Sequence, residues 1–595
     1  MFKYTLRKCR SRVSSQVWVL LLGLLIQVSC STDSPLPPGD PDNGGLFLPD
    51  GFEAVVVVDS VGRARHLTVD HKGDIYMKLR VPNSEGQGLV ALRDSNNDGK
   101  ADVVTYFGDY PDTGNYGTAM RIYNDYLYFS TAGEVYRMKM DMDSLIPTGE
   151  AELIVKDDYK NAEHGYEHIA KPIAFDNEGH LYVPFGSPGD VCQEFNRRPG
   201  APGMDPCPQL EWHGGIWRFD ANTLNQTQQE HGYRYATGIR SVVAMEWNQK
   251  ENALYVVQHG RDNMNRTWPE MYSPWESALL PSEEFFRVEE GTDGGWPYYY
   301  YDHMQGKKLL NPEYGGDKKI EADPAKITYP LLGFPGHYAP NDLHFYQGNQ
   351  FPDRYKDGAF VAFHGSTIRG PYPQAGYFVG FVPFKDGKPS GPWEVFADGF
   401  AQLDTIVNTG DAAARPMGLS MGPDGSLYIT ESVKGKVWRV MYRGDKGDFG
   451  QEALAKLEER KNARTNIKNP DAEKDNLEVG LLEAGAVAYN QYCATCHQRD
   501  GKGDGTRFPP LAETDWVTGS KRRLIEIVLN GLEGPITVNG VNYNQIMPAH
   551  NFLSNDQMAS VLTYIRKSFG NNANSISPLE VQRVREELAA NQETQ

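Results

Sequence analysis

The stretch "GHLYVPFG", residues 179–186, is a turn followed by a short strand with an early tyrosine. The chain repeats this form as "GDIYMKL" (73–79), "DYLYFST" (125–131), "NALYVVQHG" (252–260) and "GSLYITES" (425–432), with "GAFVAFHGS" around Phe360 as a weaker copy. A second run follows each of them, most ending in arginine: "LVALRD", "EVYRMKM", "GIWRFDA", "FFRVEE", "YFVGFVPF" and "KVWRVMY". Gly, Asp and Pro clusters bound the runs, and helical periodicity is scarce from residue 46 to 443. That pattern predicts hairpins repeated every 50 to 100 residues, roughly. Six such units predict an all-β six-bladed β-propeller, a ring that leaves few exposed strand edges. A large β-sandwich is the other all-β option, and six similar hairpins argue against it.

A different signal stands at residues 492–505, "YCATCHQRDGKGDG". Cys493, Cys496 and His497 have the spacing that attaches haem covalently, with His497 as proximal iron ligand. A thioredoxin-type pair does not need the histidine, and half of a zinc site would need further ligands where no other cysteine follows. The sixth iron ligand is expected about 50 residues on, at Met547, which Pro548 holds in an extended loop. Met558 competes, but Val561, Leu562 and Ile565 share its helical spacing and place it in a core. With "FPPLAETDWV", "RLIEIVLNG" and "PAHNF", residues 480–570 resemble a class I cytochrome c, a small all-α domain carrying haem c.

The 595 residues exceed one ordinary domain, and the net charge of −19 argues against a nucleic-acid partner. Lys3, Arg7, Lys8, Arg10 and Arg12 precede the apolar run 17–28, the layout of a signal peptide over residues 1–29. Ser29-Cys30 at its end resembles a lipoprotein cleavage site, with Cys30 as the lipid anchor, although Gln27 departs from that pattern; an ordinary signal peptide is the alternative. This implies export to the periplasmic side or cell envelope. Residues 30–45 read as a flexible tether, 444–479 as a charged helical linker and 571–595 as a polar, partly helical tail. Outside the haem motif and the leader, Cys192 and Cys207 remain; an oxidising compartment favours a disulfide over two free thiols. The loop "DSNNDGKAD", residues 94–102, spaces oxygens like a calcium loop but lacks a closing glutamate, so an Asx-rich turn explains it equally well.

"YATGIR", "HGRD", "GWPYYYYD" and "RPMGL…GPDGSLY" together resemble the glucose/sorbosone dehydrogenase family over residues 46–443, closest to the sorbosone branch. Those proteins are six-bladed propellers that bind pyrroloquinoline quinone (PQQ) with calcium and oxidise sugars. The resemblance implies that Arg240 and Arg415 hold PQQ carboxylates, a task suited to guanidinium forks. It implies that the backbone of Gly260 and Arg261 holds calcium and that His168 is the catalytic base, with His164 as its rival. An inter-blade ion-pair role is the alternative for both arginines. Ser241, Thr367 and Ile368 depart from the family pattern. The resulting expectation is a PQQ-dependent sugar dehydrogenase that oxidises an aldose or sorbosone-like aldehyde and passes electrons through haem c to a respiratory acceptor. A lipid-anchored electron carrier with a non-catalytic propeller is the alternative, as is an enzyme acting on an alcohol or a lignocellulose fragment.

Overall fold

The computed structural model describes residues 36–111, 117–141, 143–157 and 167–593. The described residues form six blades around one axis. Ala64–Val69, Ile75–Leu79, Leu89–Arg93 and Val103–Phe107 make the first, in that order outward. The next four begin at Met120–Tyr123, Ala174–Phe175, Val242–Asn248 and Pro340–Phe345, and the sixth at Pro416–Met421. The early strand Phe52–Val58 supplies the outer edge of the sixth blade, with Phe52 opposite Tyr442. Joining the first strand to the last sheet closes the ring and covers an edge that would otherwise stand unpaired.

The recurring tyrosine and arginine are cross-strand partners. Tyr128 faces Arg137, Tyr182 faces Arg218, Tyr255 faces Arg287 and Tyr428 faces Arg439. The four tyrosine rings are buried. Two of their hydroxyls reach beyond their own sheet, Tyr128 donating to the Ala221 carbonyl and Tyr255 to that of Gly387, each at 2.9 Å. Such pairs combine aromatic burial with a satisfied polar tip, which is why the same two residue types recur.

The inner strands of each blade are antiparallel, so the start of each innermost strand lies beside the end of the next one out. Arg240 and Ser241 precede Val242–Asn248, Arg415 precedes Pro416–Met421, and His66 lies near the start of Ala64–Val69. His259 follows Ala253–Gln258, His364 follows Ala359–Phe363, and Ser187 follows His180–Phe185. Topology therefore gathers these residues at one end of the ring.

Residues 444–479 are not a free tether. The helix Gln451–Ala463 lies along the fifth blade, where Arg460 pairs with Asp398 at 2.6 Å and Lys461 sits 3.9 Å above the Trp393 ring. Ile467 is 1% exposed among the aromatic residues of that blade. Asn466 and Gly376 exchange two hydrogen bonds, at 2.7 and 2.9 Å, and Arg369 donates to the Lys468 carbonyl at 3.1 Å. Only Asn469 and Pro470 separate this strap from the helix Asp471–Tyr492, which runs into Cys493. Few apolar residues suffice here because one isoleucine and several cations dock on a surface the propeller already provides.

The haem domain packs Asn555–Lys567 across the helix Asp471–Tyr492, with Lys521–Asn530 alongside. The tail forms the helix Pro578–Glu593, which buries Val581 and Val584 in the same core. Cys192 and Cys207 form a disulfide with Cα atoms 6.1 Å apart, packed against Trp296. In the loop 94–102, Asp94 accepts from the Gly99 amide at 2.7 Å, and Asp98 accepts from the Lys100 amide at 2.8 Å in an Asx turn. Among the described residues no helix is long and apolar enough to cross a membrane. Cys30 and His164 lie outside the described residues.

Candidate cofactor and haem sites

His168 enters the axial end with one ring nitrogen fixed and the other open. Its Nδ1 lies 2.7 Å from the Ser187 carbonyl and therefore carries the proton. Nε2 makes no hydrogen bond among the described residues and keeps its lone pair. Burial first, then the charge of Arg240, holds the ring well below the ordinary histidine range, so it is neutral at neutral pH. A neutral imidazole with a free Nε2 is the protonation state a general base requires.

The two arginines have different surroundings. Arg240 is 4% exposed and its Nη2 bonds the wholly buried Asp190 at 2.5 Å. Its Nη1 donates to the carbonyls of Gly260 (2.8 Å) and His259 (3.3 Å), leaving Nε without a partner. Arg415 has no acidic partner among the described residues. It donates to the carbonyls of His364 and Gly365 and approaches His364 Nδ1 at 2.8 Å. Burial, with repulsion from Arg63 and Arg80, pulls its pKa down to about 10. Arg415 is a partly desolvated cation with no acidic partner among the described residues; Arg240 is a matched charge bracing the 259–260 backbone.

Arg261 turns its side chain away from the axis into a buried fork on Glu313, at 2.6 and 2.8 Å. Its side chain is therefore committed to that fork, and the Gly260 carbonyl accepts from Arg240 Nη1 at 2.8 Å. The Gly260 amide donates to Glu283 at 2.9 Å, and burial raises the pKa of that carboxyl to about 8. His66 Nδ1 and Asn341 Oδ1 at the same end are buried without partners. Orphaned polar atoms beside an unmatched cation fit a flat, polyanionic ligand. Sequence reasoning missed Asp190, Ser187 and His364. A polar residue at the end of a blade's second strand was the available signal, His364 directly after Ala359–Phe363 and Ser187 two residues after His180–Phe185; Asp190 had none, since its partner stands 50 residues away.

Burial drives the pKa of both His66 and His259 down to about 4, so both rings are neutral when folded. In the unfolded chain they titrate near 6.5, so below that pH the unfolded state binds more protons. Their contribution is complete above about pH 6.5 and is lost as the pH falls towards 4. At pH 5 the loss is about 2 kcal/mol per ring. Denaturant midpoints measured from pH 7 to pH 5 are expected to fall, and less steeply in His66→Asn.

In the second domain, Cys493, His497 and Met547 line one apolar cavity with Leu524 and Val528. Cys493 and Cys496 form no disulfide. His497 places Nδ1 2.9 Å from the Pro509 carbonyl, which orients Nε2 for iron. Met558 is fully buried in the helical core and does not line the cavity, so Met547 is the ligand candidate. His550 also lines the cavity. Replacing Met547 by histidine is expected to lower the haem reduction potential, since methionine ligation raises it; spectroelectrochemical titration measures this.

The TrAA12-like family model matches residues 46–284 and 314–443, and the cytochrome c model matches 482–568. The solved PQQ domain of pyranose dehydrogenase from Coprinopsis cinerea shares 18% identity, with a TM-score of 0.53 over 68% of this chain and 99% of that one. A family AA12 protein of Trichoderma reesei is similar at 16% identity and TM-score 0.53, over 67% and 97%. Cytochrome c-552 of Thermus thermophilus is 39% identical over 16% of this chain and 65% of its own length. The cytochrome c subunit of a quinone alcohol dehydrogenase from Gluconobacter oxydans is 36% identical over 18% and 23%. An uncharacterised Borreliella burgdorferi protein is 27% identical over 35% of this chain, which spans about half (48%) of that relative. The propeller match extends over more than half of the chain, which therefore belongs to the TrAA12-like family and carries a cytochrome c domain behind its propeller.

Proposed function

We propose that the chain is a PQQ-dependent dehydrogenase that oxidises an aldose or sorbosone-like polyhydroxy aldehyde and passes the electrons through haem c to a respiratory acceptor. The observation that carries this reading is the pairing of a neutral, half-held histidine with an unmatched arginine at one end of the propeller. His168 Nε2 would take the proton of the reacting hydroxyl while Ser187 keeps the ring oriented through Nδ1. Arg415 would bind a cofactor carboxylate, with the free Nε of Arg240 nearby. The carbonyls of Gly260 and Arg261 would hold calcium, positioned by Arg240 and Glu283. When bound, PQQ supplies a two-electron acceptor for hydride leaving the substrate carbon.

Export and a lipid anchor at Cys30 belong to the same proposal. Their support is the basic and apolar leader, together with a disulfide of the kind found in oxidising compartments. The test is reconstitution of the purified haem protein with PQQ and calcium, followed by a panel of sugars while haem absorbance is recorded. Sugar-dependent haem reduction supports the reading. A protein that binds no quinone in the presence of calcium rejects it.

A further inference from the structure

We propose that the C-terminal helix Pro578–Glu593 is a dock that seats the haem domain on the fourth-blade insertion, residues 261–282, so that the haem works from a fixed position. The inner face of this helix belongs to the haem domain, through Val581 and Val584. Its outer face meets the propeller. Arg583 pairs with Glu270 at 3.2 Å. Lys521, anchored by Glu580 at 2.8 Å, donates to the Pro269 carbonyl at 3.2 Å. A cleft between the two surfaces is lined by Arg197 and Asn263 on the propeller side and by Gln582 and Arg583 on the helix side.

That cleft borders the axial site. Arg197 reaches Asp262 at 3.2 Å and Asp190 at 3.5 Å, and Asp190 is the counter-ion of Arg240. The surface gripped by the haem domain is thus continuous with the loop that follows Gly260. The other end of the haem domain is equally constrained, since two residues separate its first helix from the strap fixed at Asn466–Lys468. A domain held at both ends does not need a random search by a flexible tether to meet its partner.

The electron-transfer meaning of the dock rests on the proposed function, but its existence does not. The test uses the full-length haem protein without quinone or sugar. Arg583→Glu and Glu270→Arg each replace an attractive pair by a repulsive one; their combination restores the pair reversed. Amide exchange at residues 263–270 and 578–586 and the maximum dimension from small-angle scattering are measured for all four proteins. Each single variant is expected to exchange about tenfold faster at both surfaces and to be more extended, because like charges across an interface oppose association. The double variant is expected to recover. Unchanged exchange and dimensions in both single variants, or singles that change while the double does not recover, overturn the dock. Glu270→Arg alters only the propeller surface, so it tests the dock even if Arg583→Glu impairs haem-domain folding, which the haem spectrum reports.

Discussion

Replacement of His168 by alanine is expected to slow sugar-driven haem reduction by about 10²- to 10⁴-fold, the contribution typical of a positioned general base. Quinone binding is expected to survive, because the ring is neutral and its removal subtracts no charge from the pocket. His168→Gln provides the sharper comparison, since an amide can still donate to the Ser187 carbonyl but cannot take a proton. Wild-type kcat/KM should also carry a diagnostic pH profile. Burial and Arg240 depress the pKa of His168, so the base stays unprotonated down through the ordinary histidine range. The rate is therefore expected to hold near pH 6.5 and to fall only at more acid pH. An alanine variant within threefold of wild type would assign proton removal elsewhere, with His164 the first group to test.

The parts of this molecule that are legible in its sequence are those encoded by local repetition. The pair of Tyr182 and Arg218 recurs because four blades use the same cross-strand pair, so one physical demand is written several times. Cys493, Cys496 and His497 are legible because haem attachment is satisfied within one helical turn and its flanks. The strap and the dock are written once each, and their meaning lies in remote partners. Ile467 looks like an isolated apolar residue in a charged linker until it joins the buried cluster of Phe334, Tyr338 and Phe363, with the Tyr338 hydroxyl donating to its carbonyl. Arg583 looks like one more solvated charge in a polar tail until Glu270 faces it. A contact between residues 313 apart leaves no periodic trace, and composition alone favours the reading as linker and tail.

The two arginines that the family pattern treats alike are expected to fail in opposite ways. Arg240→Met leaves Asp190 wholly buried with its closest cation gone, and losing one member of such a pair costs roughly 3–5 kcal/mol. The variant should unfold at markedly lower denaturant or temperature, and it should also release the Gly260 and His259 carbonyls. Arg415→Met removes a cation that no carboxylate matches among the described residues and that Arg63 and Arg80 repel. The unliganded chain should therefore keep its melting temperature or gain slightly, since the lost hydrogen bonds to His364 and Gly365 are offset by relief of a desolvated charge. Its deficit should appear only on titration with PQQ. Truncating one partner of a charged hydrogen bond costs roughly 2–5 kcal/mol, so the dissociation constant should rise about 30-fold or more. Calorimetry on the quinone-free variants, paired with quinone titrations, separates the two roles. If Arg415→Met melts as low as Arg240→Met while its quinone affinity is unchanged, Arg415 is a structural brace, and the carboxylate-binding charge must come from Arg63 and Arg80.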